Sequence, residues 1–429
     1  MGSRLGGRRM RLALAAAVAI AGVVAVAYAT GAITRVTGTA IIGCVKAGTG
    51  ELRIVDNATK CKPAERVLKL QPAQEPEAVT VDCAAGEKVG QALTEAVASN
   101  ARLTITIKGT CTEAVTVARD NVVLQGAASG DGLVAPAANQ LVLGLAGRRI
   151  FLSQLTLTGG SQGLVAFNGT QFGADSLHVT GAANAGIVVG GNAVGNISSS
   201  TVENTDEPLN ASGGFVDFSG GTIRDNAGGV NARNGGAVVL FNSVVEDSGF
   251  HALTAYRGGS IELHDSIVRN SGCFGAFAFG GSVVVQGSGS LIEGSGCSGL
   301  EASDGGSVEL SSGARSAGNG EGATASNGGA LLIQDGGIVE NNTRTGVMIR
   351  GASSLRMQDG AIVRGNGEHG IVLSETSVAT FGDGTSQIVN NGGVGVLCAG
   401  APSVALITGN PGTVTGNTQG QVNCPNSAP

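Results

Sequence analysis

The stretch Gly258-Gly259-Ser260-Ile261-Glu262-Leu263-His264-Asp265-Ser266-Ile267-Val268-Arg269-Asn270-Ser271-Gly272-Cys273 decides the fold. It opens on a double glycine and passes into Ile261 to His264, where the first and third residues share one side of a strand. A second apolar group, Ile267 and Val268, follows at once, and the stretch ends in a polar turn. The next segment restates it: Gly280-Gly281, then Val283 to Gln286, then Leu291 and Ile292, then Ser295-Gly296-Cys297. Short strands and tight glycine turns, with no helix between them, predict a solenoid in which each repeat stacks on the last.

Working outward, one apolar column reads Leu157, Val179, Val202, Ile223, Val245, Val268, Ile292, Val339, Val363 and Val389. Its spacing is 21 to 26 residues, with a single gap of 47 that spans two coils. The double glycines at Gly235-Gly236, Gly258-Gly259, Gly280-Gly281, Gly305-Gly306 and Gly328-Gly329 run in phase with it. The residue after the apolar column alternates in charge: Glu203, Arg224, Glu246, Arg269, Glu293, Arg315, Glu340, Arg364. Coils stack about 4.8 Å apart, so a register slip of one coil would turn each attraction into a repulsion. This is a register device. The expected fold is an all-β, right-handed parallel β-helix of about 12 coils, with an N-terminal capping helix and a small disulfide-stapled β module before it.

The expected domain order is a signal peptide at 1–29, a small module and linker at 30–75, the cap and first coils at 76–139, and the repeating β-helix at 140–429. Arg4, Arg8, Arg9 and Arg11 precede an apolar run from Leu12 to Ala27, and Ala27-Tyr28-Ala29 has the form of a cleavage site. An uncleaved anchor is the competing reading. Export predicts a secreted or cell-surface location. Cleavage removes four Arg and no acids, taking the formal net charge from −6 to −10. An acidic chain without a basic stripe excludes nucleic acid as a partner. The remaining expectations are no membrane contact after cleavage and a monomer.

In the cap, Val89 to Ala98 has helical spacing, with Val89, Leu93 and Val97 on one face. A helix there would cover the open edge of the first coil. All eight Cys follow the cleavage site, and an even count in an exported chain reads as disulfides. Cys273 with Cys297 and Cys398 with Cys424 occupy matching slots of consecutive coils, close enough to bond. Cys44 with Cys61 would staple the small module, and Cys83 with Cys111 would tie the cap to the first strands.

From about residue 140 to 420 the pattern resembles the pectate-lyase-like right-handed β-helix superfamily, with the cap extending the likeness back to 80. The 30–75 module resembles a short disulfide module near the N-terminus of some bacterial exported proteins. Asn204-Thr205-Asp206 is similar to an Asn-Thr-Asp motif of polygalacturonases, which share the fold. That family's later motifs are an Asp pair, Gly-His-Gly and Arg-Ile-Lys. They correspond here to Arg224-Asp225, Phe250-His251-Ala252 and Tyr256-Arg257-Gly258, where single residues survive.

Asp225 and Asp247, one coil apart, read as a carboxylate pair, and with His251 and Arg257 from the resemblance they make up the candidate catalytic set. Two acids about 5 Å apart suit retaining glycoside hydrolysis. Asp225 and Asp247 also belong to a turn column with Asn204, Asn270, Asn341 and Asn391, a pattern that backbone geometry alone explains. Asp217, Glu262 and Glu309 read as a solvated strand face. His178 and His369 have no partner legible in sequence. Aromatic residues concentrate between 215 and 279: Phe218 and Phe277 read as inward, Phe241 and Tyr256 as outward. Arg233, Phe241 and Tyr256 are therefore the candidate binding residues, Arg233 lying one coil from Tyr256. No metal site and no cofactor are expected, Ca²⁺ entering only if the protein is a lyase. The leading expectation is a β-helix scaffold or recognition protein for polysaccharide or a cell-surface glycan, without catalysis. The alternative is a polysaccharide lyase or polygalacturonase-like hydrolase acting on acidic polysaccharide.

Overall fold

The computed structural model describes residues 41–70, 76–96, 101–399 and 406–424. The signal segment, most of the Pro72–Pro76 linker and Val97 lie outside the described residues. The chain divides into two compact units, meeting between Glu75 and Pro76.

In the first unit, Ile41–Lys46 pairs antiparallel with both Leu52–Val55 and Glu65–Leu70. Cys44, fully buried, is bonded to Cys61. A sheet this small has little core of its own, so the crosslink supplies what packing does not.

The second unit is a parallel β-solenoid whose coil visits three sheets in turn. Sheet I contains fourteen described strands, from Val115–Val117 to Val422–Asn423. Sheet II contains fifteen, from Glu77–Asp82 to Leu406–Gly409, and sheet III fourteen, from Thr110–Thr112 to Thr413–Thr415. That is about 15 coils. The sequence count of 12 fell short because the apolar column was legible only from Leu157 to Val389, whereas sheet III runs from Thr110–Thr112 to Thr413–Thr415.

Each coil follows from its residues. In the coil from Leu253 to Arg269, Leu253, Ala255, Ile261, Leu263 and Val268 are fully buried while their neighbours point out. Burial stabilises by roughly 1.5–3 kcal/mol for each large aliphatic side chain, so packing, and not the charge ladder, holds the coil. The double-glycine turn joins sheet I to sheet II. Gly258 has φ +76, and a Cβ on Gly259 would lie 2.1 Å from the Ala232 carbonyl oxygen of the preceding coil. The first glycine supplies the left-handed backbone, the second the close approach.

The N-terminal end is covered by the helix Val89–Glu95, which buries Val89 and Ala92 and packs Leu93 against the core. Its first amides are capped from a distance: the Glu113 carboxylate accepts from Val89 N–H at 2.7 Å and Gly90 N–H at 3.0 Å. The remaining three disulfides are Cys83–Cys111, Cys273–Cys297 and Cys398–Cys424, with Cα separations of 4.9, 4.5 and 4.9 Å.

Three placements differ from the sequence register. Val363 pairs with Ile388, not Val389, so Ile388 holds the column position and Val414 continues it. The left-handed turn residue beyond it is then Asn390, φ +58, while Asn391 is buried. Asn391 belongs instead to an asparagine ladder inside the turns from sheet III to sheet I. Asn319, Asn342, Asn366 and Asn391 each donate their backbone N–H to the next asparagine Oδ1, at 2.9 to 3.1 Å, ending on Asn417. The third concerns Arg315, which stands opposite Leu291 and Ile338; Ala317 occupies the charge column there.

Arg315 nevertheless reaches diagonally to Glu340, its Nε at 2.7 Å, and Arg364 binds the same carboxylate at 2.8 Å. Glu340 is thus clamped from both sides, its side chain only 3% exposed. Burial pushes its carboxyl up, but hydrogen bonds and charge from the two guanidiniums outweigh that and hold it below the ordinary glutamate range. Elsewhere the ladder condenses into pairs, Glu203 with Arg224 at 2.8 Å and Glu246 with Arg269 at 2.7 Å.

Candidate functional site: the outer face of sheet I

The outward positions of sheet I form two columns along the solenoid. One reads Asn210, Asn231, Thr254, Phe277, Glu301, Thr324 and Met348. The other reads Ser212, Arg233, Tyr256, Phe279, Ser303 and Ser326 in adjacent coils, and Arg350 follows next to Ser326. At about 4.8 Å per coil, Arg233 and Arg350 stand roughly 24 Å apart. Rings and hydroxyls fill the interval between them.

The rings are not isolated. Phe277 faces outward between the inward Ala276 and Ala278, contrary to the core position expected from its sequence phase. It contacts Phe279, Phe274 and His251, with ring centroids 5.9, 5.1 and 5.3 Å away. His251 stacks on Phe274 at 4.7 Å and lies 3.7 Å from the Phe250 ring. An aromatic wall therefore runs from the sheet III–sheet I turns across both columns. Arg233 Nη1 donates to the Tyr256 hydroxyl at 2.8 Å, fixing the phenol at one end of the wall.

Beside the wall lies a carboxyl that sequence reasoning missed. Glu301 sits between Phe277 and Thr324 of the neighbouring coils and is 5% exposed. Ser326 Oγ donates to it at 2.8 Å. Burial pushes its carboxyl above the ordinary glutamate range and Glu321 adds to that; Ser326 and the charge of Arg350 pull the other way without cancelling it. Glu321 itself accepts from Ser298 and Thr324, each at 3.3 Å, and its carboxylate is 3.6 Å from Arg344. The signal for Glu301 was available: in Leu300-Glu301-Ala302 the acid alternates with two inward residues, in the slot of Phe277. Without the pairing of coils, that alternation is only another solvated strand.

The residues singled out from sequence are spread over several surfaces. Asp225 and Asp247 begin successive sheet III–sheet I turns, with φ +54 and +52. Asp225 lies 3.8 Å from its neighbour Arg224, and Asp247 accepts from Asn270 Nδ2 at 3.1 Å. Among the described residues, neither belongs to a group of three metal-ligating side chains; the one such group is Cys44, Cys61 and Glu65, whose sulfurs are bonded together. His251 lies in the turn after Asp247, its ring nitrogen accepting from Phe274 N–H at 3.4 Å, and burial lowers its pKa to about 4. A base so depressed is a neutral member of the aromatic wall near pH 7.

Arg257 is at the far end of the strand Leu253–Tyr256, its guanidinium 5.9 Å from the Tyr256 ring. The strand separates it from the turns that carry the two aspartates. Phe241 is outward and 45% exposed, but on sheet II, where it neighbours His264. Arg233 and Tyr256 therefore come together, and Phe241 does not join them. Asp217, Glu262 and Glu309 occupy alternate coils of sheet II with Val239 and Val284 between them. His369 accepts from Val394 N–H at 2.9 Å, and His178 is bonded to Glu203 at 3.0 Å.

Residues 162–314 match the family model described as the right handed beta helix region. That stretch, about a third of the chain, lies within the parallel β-solenoid of the second unit. Solved structures with a similar course include the A-module of a mannuronan C-5 epimerase from Azotobacter vinelandii (16% identity, 78% of this chain and 93% of that one, TM-score 0.44). An alginate lyase from Paenibacillus sp. is 11% identical over 82% of this chain and 100% of its own, with TM-score 0.34. The catalytic unit of a GH87 α-1,3-glucanase from Streptomyces thermodiastaticus is 14% identical over 80% of this β-helix protein and 70% of its own length, with TM-score 0.47. At such identities the likeness is one of fold. No curated relative matches the sequence.

Proposed function

We propose that this β-helix protein is an exported recognition scaffold that holds a glycan chain along the outer face of sheet I, between Arg233 and Arg350, without cleaving it. The observation that carries this reading is the row of rings on adjacent coils, Tyr256, Phe277 and the exposed Phe279, which continues into the buried hydroxyls of Ser303, Thr324 and Ser326. Aromatic faces take the apolar side of a sugar ring while neighbouring polar groups bond its hydroxyls. A regular rise per coil suits a regular polymer lying along the axis. Four disulfides with no free cysteine among the described residues support an oxidising compartment. No described helix is long and apolar enough to cross a membrane.

The test is binding of the full chain to acidic and neutral polysaccharides, with and without Ca²⁺. The double variant Tyr256→Ala, Phe279→Ala should weaken binding about tenfold, as loss of ring contacts implies. Equal binding by wild type and variant would move the glycan off sheet I.

Glu301 favours a second reading, the hydrolase. A carboxyl whose pKa burial raises, with another carboxylate on the adjacent coil, is the kind of pairing that glycosidic cleavage uses. Release of reducing ends by wild type but not by Glu301→Gln would replace recognition with catalysis. Release lost in Asp247→Asn instead would favour the turn aspartates.

A further inference from the structure

A second site lies on another side of the solenoid, built by a departure from the repeat. Most connections from sheet II to sheet III in the early coils are two residues long, as at Gln154-Leu155 and Ser176-Leu177. Between Val122–Gly126 and Gly132–Val134 the connection is Ala127 to Asp131, five residues. The longer loop overhangs the turns of the following coils and forms one wall of a half-open cleft of about 310 Å³, lined by Ser129, Gly130, Gln154, Thr156, Ser176 and His178.

The overhang is fixed in place. The Asp131 carboxylate accepts from Ala128 N–H at 2.8 Å and Gly109 N–H at 2.9 Å, and its carbonyl accepts from Thr156 N–H at 3.0 Å. A Cβ on Gly132 would fall 1.9 Å from the Thr156 oxygen, so this end of the loop is pressed onto the cavity floor. On that floor Thr156 and His178 are neighbours across coils. His178 is oriented by Glu203 at 3.0 Å, and Glu203 is in turn held by Arg224 at 2.8 Å. The carboxylate is thus already neutralised by Arg224, and no Lys, Arg, Asp or Glu lines the cavity.

We propose that this cavity binds a single neutral, polyhydroxylated unit of hexose size, with Thr156, Gln154 and His178 reading its hydroxyls. A lining of hydroxyls, one amide and one imidazole offers donors and acceptors without net charge, which matches a polyol and not a phosphate or a uronate. The volume is at the small end of ligand sites and excludes a long oligosaccharide.

Saturation-transfer NMR on the full chain, with D-glucose, D-mannose and D-glucuronate as probes, tests it. Transfer to a neutral sugar should exceed transfer to glucuronate, and the binding should weaken about fivefold, one hydrogen bond's worth, in His178→Ala and in Thr156→Val. The second variant conserves shape, and an unchanged melting temperature confirms that it folds. Three results would each overturn the proposal: no transfer to either neutral sugar, equal transfer in wild type and both variants, or a preference for glucuronate.

Discussion

Sheets I and III are built from the same coils and bury the same kinds of side chain inward, yet their outer faces treat charge in opposite ways. On sheet III, Glu203, Glu246 and Glu340 each meet an arginine of a neighbouring coil, and every one of these carboxylates is accounted for within the face. On sheet I, Glu301 is buried like Glu340 but has a serine as its partner, with Arg350 acting only at a distance. A face whose charges cancel locally sets register. A face that keeps a carboxyl of raised pKa beside rings, with arginines at either end, leaves its charge uncompensated by a paired guanidinium.

The strongest way to break this comparison is Glu340→Gln. It strips the charge from a clamp of two arginines and should cost about 2 kcal/mol, the range for hydrogen bonds to a charged group. The pH dependence carries the sign. Because Glu340's folded pKa lies below its ordinary 4.5, its contribution is full above that value and is lost as pH falls through the lowered folded value. Thermal melts across acid pH should therefore show wild type and variant converging as pH drops.

Glu301→Gln should behave in the opposite sense. Its folded pKa is raised above the ordinary 4.5, so the favourable state is full below that value and is lost as pH rises through the raised folded value. The variant should then melt above wild type at neutral pH, and the gap should close on acidification. A gap that is the same at every pH would mean that Glu301 does not ionise differently on folding. The smallest effect belongs to Arg269→Glu, in an exposed pair worth about 0–1 kcal/mol. It should lower the melting temperature at low salt and less so at high salt. An unchanged melting temperature at low salt would remove register control from the ladder.

The binding variants sharpen the contrast from the other side. Tyr256 and Phe279 stand outside the core, so their removal should change ligand affinity and leave stability nearly intact. Removing Glu340 should do the reverse.

The period, the four disulfide pairs, the double-glycine turns and the capping helix were legible because each is a local pattern repeated at a fixed spacing. Register was legible wherever a coil kept its length. It failed by one residue at Ile388, where the coil lengthens, and at Arg315, where Ser316 replaces the usual apolar residue. Sequence also assigned His178 no partner, because Glu203 lies 25 residues away.

Sequence by itself determined that this chain coils, because alternation and glycine punctuation act over a few residues at a time. Which outward side chains become a surface was decided only by stacking. Phe277 and Glu301 are 24 residues apart and share no local pattern in the chain; parallel pairing sets them side by side. Asp225 and His251, conspicuous in sequence, were placed by the same pairing into a turn and an aromatic stack. Neighbours one coil apart are invisible to any local rule, and the outer face of sheet I is made of such neighbours.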